Sequence, residues 1–178
     1  MACFNNCDTR INMDEPDPST GLTPRQKDAL RSTWKVVSVT PVPTGVTFFI
    51  RLFKTLPVAL SFFKTFDGMP LSEVEKSGKL RAHASNFMHG VTGMIDSLDD
   101  AECLVSIVQK LTINHHRRGI QPQNFKDVFD VFLTFLEDTL GSKMDKFTKN
   151  AWEAVTSVII RIVTKETEDI ELSQAGCD

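Results

Sequence analysis

Apolar residues recur every three or four positions along most of this chain, the spacing that gives an α-helix one hydrophobic face. Ala29, Leu30, Trp34 and Val37 form the first such stripe. It follows a capping-box pattern at Thr23–Gln26 that includes a proline at the first helical position. No segment keeps a sustained period of two, so the pattern predicts an all-α domain of six to eight helices.

Later stripes repeat this spacing and predict the remaining helices, with breaks at proline or glycine between them. Their members are Phe48, Phe49, Leu52 and Phe53; Leu80, His83, Phe87, Val91 and Met94; Leu104, Ile107, Val108, Leu111 and His115; Phe125, Val128, Phe129, Phe132 and Leu136; and Trp152, Val155, Val158, Ile159 and Ile162. Ser72–Glu75 reads as a second capping box, leading into the helix that carries His83.

The two ends of the chain differ from the middle in being polar. The stretch Asp14–Thr20 is rich in Asp, Pro and Ser and has too little apolar surface to order itself. The pattern therefore predicts a disordered N-terminal extension over residues 1–21, one domain over 22–166 and a C-terminal tail over 167–178.

Composition narrows the classes of function. A length of 178 residues suits one domain, and the net charge of −3 offers no basic stripe for nucleic acid. No apolar run approaches the roughly 20 residues that span a bilayer, and the N-terminus has no signal-peptide core, so we expect a cytoplasmic protein. The 13 phenylalanines and the absence of tyrosine indicate an interior with few polar atoms to satisfy.

Two of the four histidines, His83 and His115, lie on the apolar stripes of different helices. An inert core histidine is one interpretation of each. The other is an iron ligand, because imidazole nitrogen binds haem iron and a helix holds it at a fixed height. Zinc is less suitable, since His115 and the adjacent His116 point about 100° apart on a helix. Motifs for a hydrolase nucleophile, a phosphate loop or a dinucleotide site are absent from the sequence.

Over about residues 22–165 the chain resembles the globin family. The resemblance is carried, in order, by LTPRQKDALRSTW, TGVTFFIRLFKTLP, KLRAHASNF and LTINHHRRGIQPQNF. It implies a globin fold, a three-over-three helical sandwich of about eight helices around a haem pocket. The cofactor that it implies is haem b (iron protoporphyrin IX). Gly45 and Ala84 match positions where small residues let two helices cross closely.

The resemblance implies His115 as the proximal iron ligand, with His83 on the distal side as a possible second ligand. Gly119 and Phe125 follow His115 by four and ten residues, the family's spacing, and His116 fits neither. The implied cofactor-binding residues are Phe49, Phe63, Phe66, Phe87, Leu111, Ile120 and Phe125. Two positions depart from the family pattern: Phe87 stands where many globins have Val, and Asn86 stands where many have a basic residue near the haem propionates.

The function expected from the resemblance is reversible binding of O2 and other diatomic gases for storage, delivery or sensing. An alternative is a six-coordinate redox globin, working with a reductase in electron transfer, NO dioxygenation or nitrite reduction. A third hypothesis is a haem-free helical interaction module. Membrane contact is expected only if Cys3 or Cys7 is acylated, because Ala at position 2 does not support N-myristoylation. The sequence leaves the oligomeric state open.

Overall fold

The computed structural model describes residues 12–175, which contain eight α-helices and no strand. The helices are α1 Pro24–Val37, α2 Pro41–Thr55, α3 Val58–Ser61, α4 Leu71–Val74, α5 Gly78–Asp96, α6 Ala101–His116, α7 Pro122–Leu140 and α8 Lys146–Ala175. Short 3-10 turns lie at Lys64–Phe66 and Gly141–Lys143. The predicted all-α class is confirmed.

Capping residues in the sequence mark where helices begin. Thr23 and Gln26 form the predicted capping box of α1, with hydrogen bonds in both directions. The predicted box at Ser72–Glu75 is wrong, because α4 already begins at Leu71 and has no side-chain cap. The helix that carries His83 is capped instead by Ser77, whose hydroxyl oxygen accepts a hydrogen bond from the Lys79 N–H at 3.2 Å.

The crossing of α2 and α5 sets the position of the helix that carries His83. At Gly45 an added Cβ would lie only 2.9 Å from the Ala84 carbonyl oxygen and 3.0 Å from the Ala84 Cβ. The close crossing expected from these two small residues is therefore confirmed. It brings Phe48 and Phe49 of α2 against α5.

Aromatic rings join this pair to α1, α7 and α8. Phe132 contacts Phe48, Trp34 and Trp152 at centroid distances of 5.4, 6.3 and 5.9 Å. The buried indole of Trp152 donates a hydrogen bond to Thr33 Oγ1 at 3.1 Å, so its one polar atom is satisfied. The result is one continuous core to which all of these helices contribute.

Hydrogen-bonded structure continues on both sides of the predicted domain, before residue 22 and after residue 166. In the predicted extension, the Asp17 carboxylate accepts hydrogen bonds from the N–H groups of Ser19 and Thr20, and Thr20 is buried. At the other end α8 continues through the predicted limit at residue 166 to Ala175, with Thr167 buried. Turn hydrogen bonds and helix continuation replace the apolar burial that these polar segments lack. The cysteines at 3, 7 and 177 lie outside the described residues.

Within residues 12–175 no single helix is long and apolar enough to cross a membrane. Only α1 and α2 taken together pass that test, and they are bent by 95° at their junction. Most of their apolar residues are buried in the core.

A buried ammonium group fastens the N-terminal segment to the helices. Lys27 Nζ lies 2.8 Å from Asp17 Oδ2 and 3.1 Å from Asp99 Oδ1, and its side chain is only 5% exposed. Its hydrogen bond is the largest cause of an Asp17 pKa lowered to about 2. One cation thus links residues before α1 to the corner between α5 and α6.

We expect Lys27→Met to lower the free energy of unfolding by about 1 kcal/mol at pH 7, because both carboxylates can partly rehydrate. A depressed Asp17 pKa stabilises the fold above its ordinary value of 3.8, and this contribution is lost as the pH falls through about 2. Urea unfolding should therefore show that the difference in free energy of unfolding between parent and variant becomes smaller from pH 4 to pH 2. Lys35→Met, at an exposed position of α1, is the control; an equal loss there would contradict the assignment.

Candidate functional site

His83 projects from α5 into an aromatic enclosure. The rings of Phe49 and Phe63 each lie 4.9 Å from the imidazole centroid, at interplanar angles of 65° and 88°. Both therefore meet His83 edge-on and restrict how far its ring can turn. The imidazole is held in place by these aromatic contacts, and within residues 12–175 no carboxylate contributes to the shift of its pKa.

Phe87, one turn after His83, is fixed by three further rings. It stacks on Phe48 at 4.9 Å and 14°, and meets Phe49 and Phe132 edge-on at 5.4 and 5.7 Å. A side chain with this many neighbours has few alternative rotamers. The ring of Phe87 therefore stands rigidly beside His83. A smaller aliphatic side chain at this position, such as Val, would leave more room.

His115 lies in the last turn of α6, and its orientation is set by its own helix. Nδ1 is 2.9 Å from the Leu111 carbonyl oxygen, so Nδ1 carries the proton and donates it. Nε2 is left as the free acceptor or metal-binding atom. The ring is also edge-on to Phe125, with centroids 5.4 Å apart at 62°. A hydrogen bond from Nδ1–H to a backbone carbonyl is the usual way to orient a metal-binding histidine.

Burial and a nearby positive charge lower the pKa of both imidazoles. Burial is the main cause of a His83 pKa lowered to about 4, and the positive charges of His115 and Arg118 act in the same direction. Burial also lowers the pKa of His115 and outweighs its hydrogen bond to Leu111, with Arg118 again adding to the effect. These shifts favour neutral imidazoles, the form that binds a metal.

The two imidazoles suit a metal that is held mainly by a cofactor and not by protein side chains. The described residues contain no group of three or more His, Cys, Asp or Glu side chains able to hold a bare ion. Two half-buried imidazoles on different helices, each beside aromatic rings, would instead suit a flat apolar macrocycle whose iron needs only one or two protein ligands. The residues present therefore fit a haem, with His115 Nε2 as the better-oriented ligand.

The remaining predicted residues are distributed around the two histidines. Phe66 is buried and stacks on Phe63 at 5.8 Å. Ile120 is half-buried, and its N–H donates to the His115 carbonyl oxygen at 3.2 Å. Leu111 is half-buried and contributes its carbonyl to His115. Together with Phe49, Phe63, Phe87 and Phe125, every predicted pocket residue packs on the core beside these helices.

The other two histidines have different surroundings. His89 is exposed, and its Nδ1 lies 2.7 Å from the Ser85 carbonyl oxygen on its own helix. His116 is half-buried, and its Nδ1 is the one buried side-chain nitrogen or oxygen in the described range without a hydrogen-bond partner. Neither is among the groups that shift the pKa of His83 or His115. Sequence reasoning missed Arg118, whose charge acts on both of those histidines, because two adjacent arginines after a helix are typical of a solvated surface.

The lowered pKa of His83 has a measurable consequence for the protein without cofactor. Between pH 6.5 and about 4 the unfolded chain binds a proton that the folded His83 does not, so stability falls as the pH falls. We expect urea unfolding of the parent to show this loss of stability and His83→Leu to show a smaller one, because the lowered pKa of His115 still contributes. His89→Leu, at a surface position of α5, should keep the parent slope. The same slope in His83→Leu would contradict this account of His83.

Comparison with known proteins gives consistent matches. The family model described as Globin matches residues 46–163. A globin of Tritia mutabilis is 34% identical over 143 residues, covering 79% of this chain and 97% of the relative. Hemoglobin-3 of Phacoides pectinatus is 36% identical over 145 residues, covering 81% of this chain and 94% of the relative.

Two solved structures share the fold. A hexacoordinated heme protein from an anhydrobiotic tardigrade has a TM-score of 0.78 at 18% identity, covering 85% of this chain and 99% of its own. The hemoglobin of the botfly Gasterophilus intestinalis has a TM-score of 0.74 at 17% identity, covering 81% and 97%. At such identities the likeness concerns the fold alone, and it agrees with the three-over-three arrangement expected from the sequence.

Proposed function

This chain belongs to the globin family, and we propose that it binds one haem b between α5 and α6 and uses it to bind O2 and other diatomic gases reversibly. Storage, delivery or sensing of the gas are the roles consistent with this chemistry. The observation that carries the proposal is His115, whose Nδ1–H is committed to Leu111 O while Nε2 is left for iron. When bound, the haem would supply a ferrous iron that binds small gases.

The chain's own residues supply the rest of the function. His115 would hold the iron from α6, with its ring positioned by the contact with Phe125. Phe63 and Phe66, whose rings stack on each other, would supply apolar surface to the macrocycle. On the distal side, neutral His83 offers one N–H donor to a gas molecule, while Phe49 and Phe87 exclude water from the same space.

A second candidate is a six-coordinate redox globin, in which His83 also binds the iron. The observation that favours it is that both histidines are half-buried on different helices, and burial lowers the pKa of each. A neutral imidazole can act as either a ligand or a hydrogen-bond donor. Electron transfer, NO dioxygenation or nitrite reduction with a reductase would then replace gas storage.

The visible spectrum of the reduced, ligand-free protein decides between the two. We expect a single broad visible band, as for an open five-coordinate site, and little spectral change in His83→Leu before ligand is added. Sharp split bands that broaden in His83→Leu would instead establish bis-histidyl coordination and the redox alternative. His89→Leu is the matched control and should leave either spectrum unchanged.

A further inference from the structure

An open groove of about 570 Å³ runs between α7 and α8 on the outside of the fold. Its lining comes from residues 123–133 of α7 and residues 156–168 of α8. At the helical rise of roughly 1.5 Å per residue, these two stretches are about 15 and 18 Å long. None of the lining residues is among the predicted iron ligands or pocket residues. The α7–α8 groove is therefore a surface feature separate from the two histidines.

Apolar side chains form the floor of the α7–α8 groove. Phe129 and Leu133 lie one turn apart on α7, Ile160 lies on α8, and all three are half-buried. One turn before and one turn after Ile160 are Thr156 and Thr164, whose short side chains leave space along α8. A long groove between two helices, with a floor of this kind, accepts the row of side chains on a third helix. We therefore look for an occupant that is itself helical.

Exposed charges of both signs form the rim of the α7–α8 groove. They are Lys126 and Asp130 on α7 and Arg161, Lys165 and Glu168 on α8. Among residues 12–175, Lys165 is the one member of this set with an ion-pair partner, an aspartate one turn along its own helix. The other four have no opposite charge within 4.0 Å. The rim thus offers both cations and carboxylates to whatever binds there.

A rim of mixed sign favours one kind of occupant. An anionic lipid or nucleic acid would meet the carboxylates of Asp130 and Glu168 along with the cations, and like charges at an interface are unfavourable. A protein with a surface of a single sign would meet the same opposition. A second copy of this chain carries the same cations and carboxylates, and a two-fold axis repeats every contact between unlike charges. The rim is therefore complementary in charge to itself.

We propose that the α7–α8 groove is the interface of a two-fold dimer of this chain, in which α7 and α8 of each copy pack against the same helices of the other. Phe129, Leu133 and Ile160 of both copies form the apolar centre, and the five charges surround it. A face about 18 Å long and two helices wide is small for a protein interface, so the dimer dissociates on dilution. Its formation does not depend on the proposed haem binding.

Sedimentation equilibrium of the full chain, with and without added haem, tests the proposal over protein concentrations from about 1 μM to about 1 mM. We expect a reversible monomer–dimer equilibrium in the parent. One double variant, Arg161→Glu with Lys165→Glu, makes the rim acidic. A second, Asp130→Lys with Glu168→Lys, makes it basic. Each should raise the dimer Kd at least about ten-fold at low salt, because the two-fold axis places the altered charges at four positions.

Mixing the two double variants provides the decisive comparison. The acidic rim of one should bind the basic rim of the other, so the mixture should form a heterodimer although neither variant dimerises well alone. Lys35→Glu with Lys79→Glu makes the same change in charge at exposed positions of α1 and α5 and should leave the parent Kd unchanged. Circular dichroism checks that every variant keeps its helices. A parent that stays monomeric at 1 mM, a dimer that the rim variants do not weaken, or a mixture that does not associate would overturn the proposal, whether or not the chain binds haem.

Discussion

Replacing His115 with glycine is expected to raise the rate of haem loss by more than about a hundred-fold, because removal of a residue that only orients a ligand already costs 10- to 100-fold in metal affinity. The reason is that His115 Nε2 is the nitrogen oriented by the bond from Nδ1–H to Leu111 O. Transfer of haem to an apoglobin acceptor measures the rate directly. Circular dichroism of the variant checks that α6 remains folded.

Two comparisons separate ligation from general damage. His116→Ala removes the neighbouring histidine, whose Nδ1 is buried without a partner, and should retain haem nearly as well as the parent. Free imidazole should restore haem binding to His115→Gly, because the vacated volume accepts the same ligand without its tether. Loss in His116→Ala equal to that in His115→Gly, or no effect of imidazole, would refute His115 as the ligand.

Gly45→Ala is expected to destabilise the protein without cofactor by about 2 kcal/mol, because the new methyl overpacks a tight helix crossing. Its Cβ would lie 2.9 Å from the Ala84 carbonyl oxygen and 3.0 Å from the Cγ of Met88, and the backbone atom cannot turn aside. The substitution also moves α2, which carries Phe49 against His83. Urea unfolding followed by circular dichroism measures the change in free energy.

Gly90→Ala is the matched control on α5. An added Cβ at Gly90 meets nothing within 4 Å, so alanine should stabilise the helix by about 0.5 to 1 kcal/mol through lower backbone entropy of the unfolded chain. The two substitutions are chemically identical and should have opposite signs. A stabilising Gly45→Ala would show that the α2–α5 crossing is looser than the structure has it.

Periodicity was sufficient to predict the helices because their apolar faces bury in one core. The stripe containing Leu104, Val108 and His115 became α6, with Leu104 and Val108 buried. Periodicity could not distinguish a ligand from an inert histidine, since both lie on an apolar face. The family spacing to Gly119 and Phe125 favours His115 as the ligand, and the hydrogen bond to Leu111 orients its ring in a way that suits that proposal.

The features that sequence did not predict depend on contacts between distant residues. Polar composition around Asp17 indicated disorder, but a buried Lys27 and an aspartate 72 residues further along, Asp99, hold this segment in place. The ring stack of Phe48 on Phe87 arises from the α2–α5 crossing and not from local pattern. Arg118 likewise has no signal of its own, because its relation to His83 exists only once α5 faces α6.

The most direct test of the account is titration of the purified chain with haem, followed by the Soret absorbance of the parent and of His115→Gly. We expect the parent absorbance to rise to a break at one haem per chain, and the variant to give no such break until imidazole is added. A parent chain whose Soret absorbance shows no break at one haem per chain would contradict it. So would a variant that titrates like the parent.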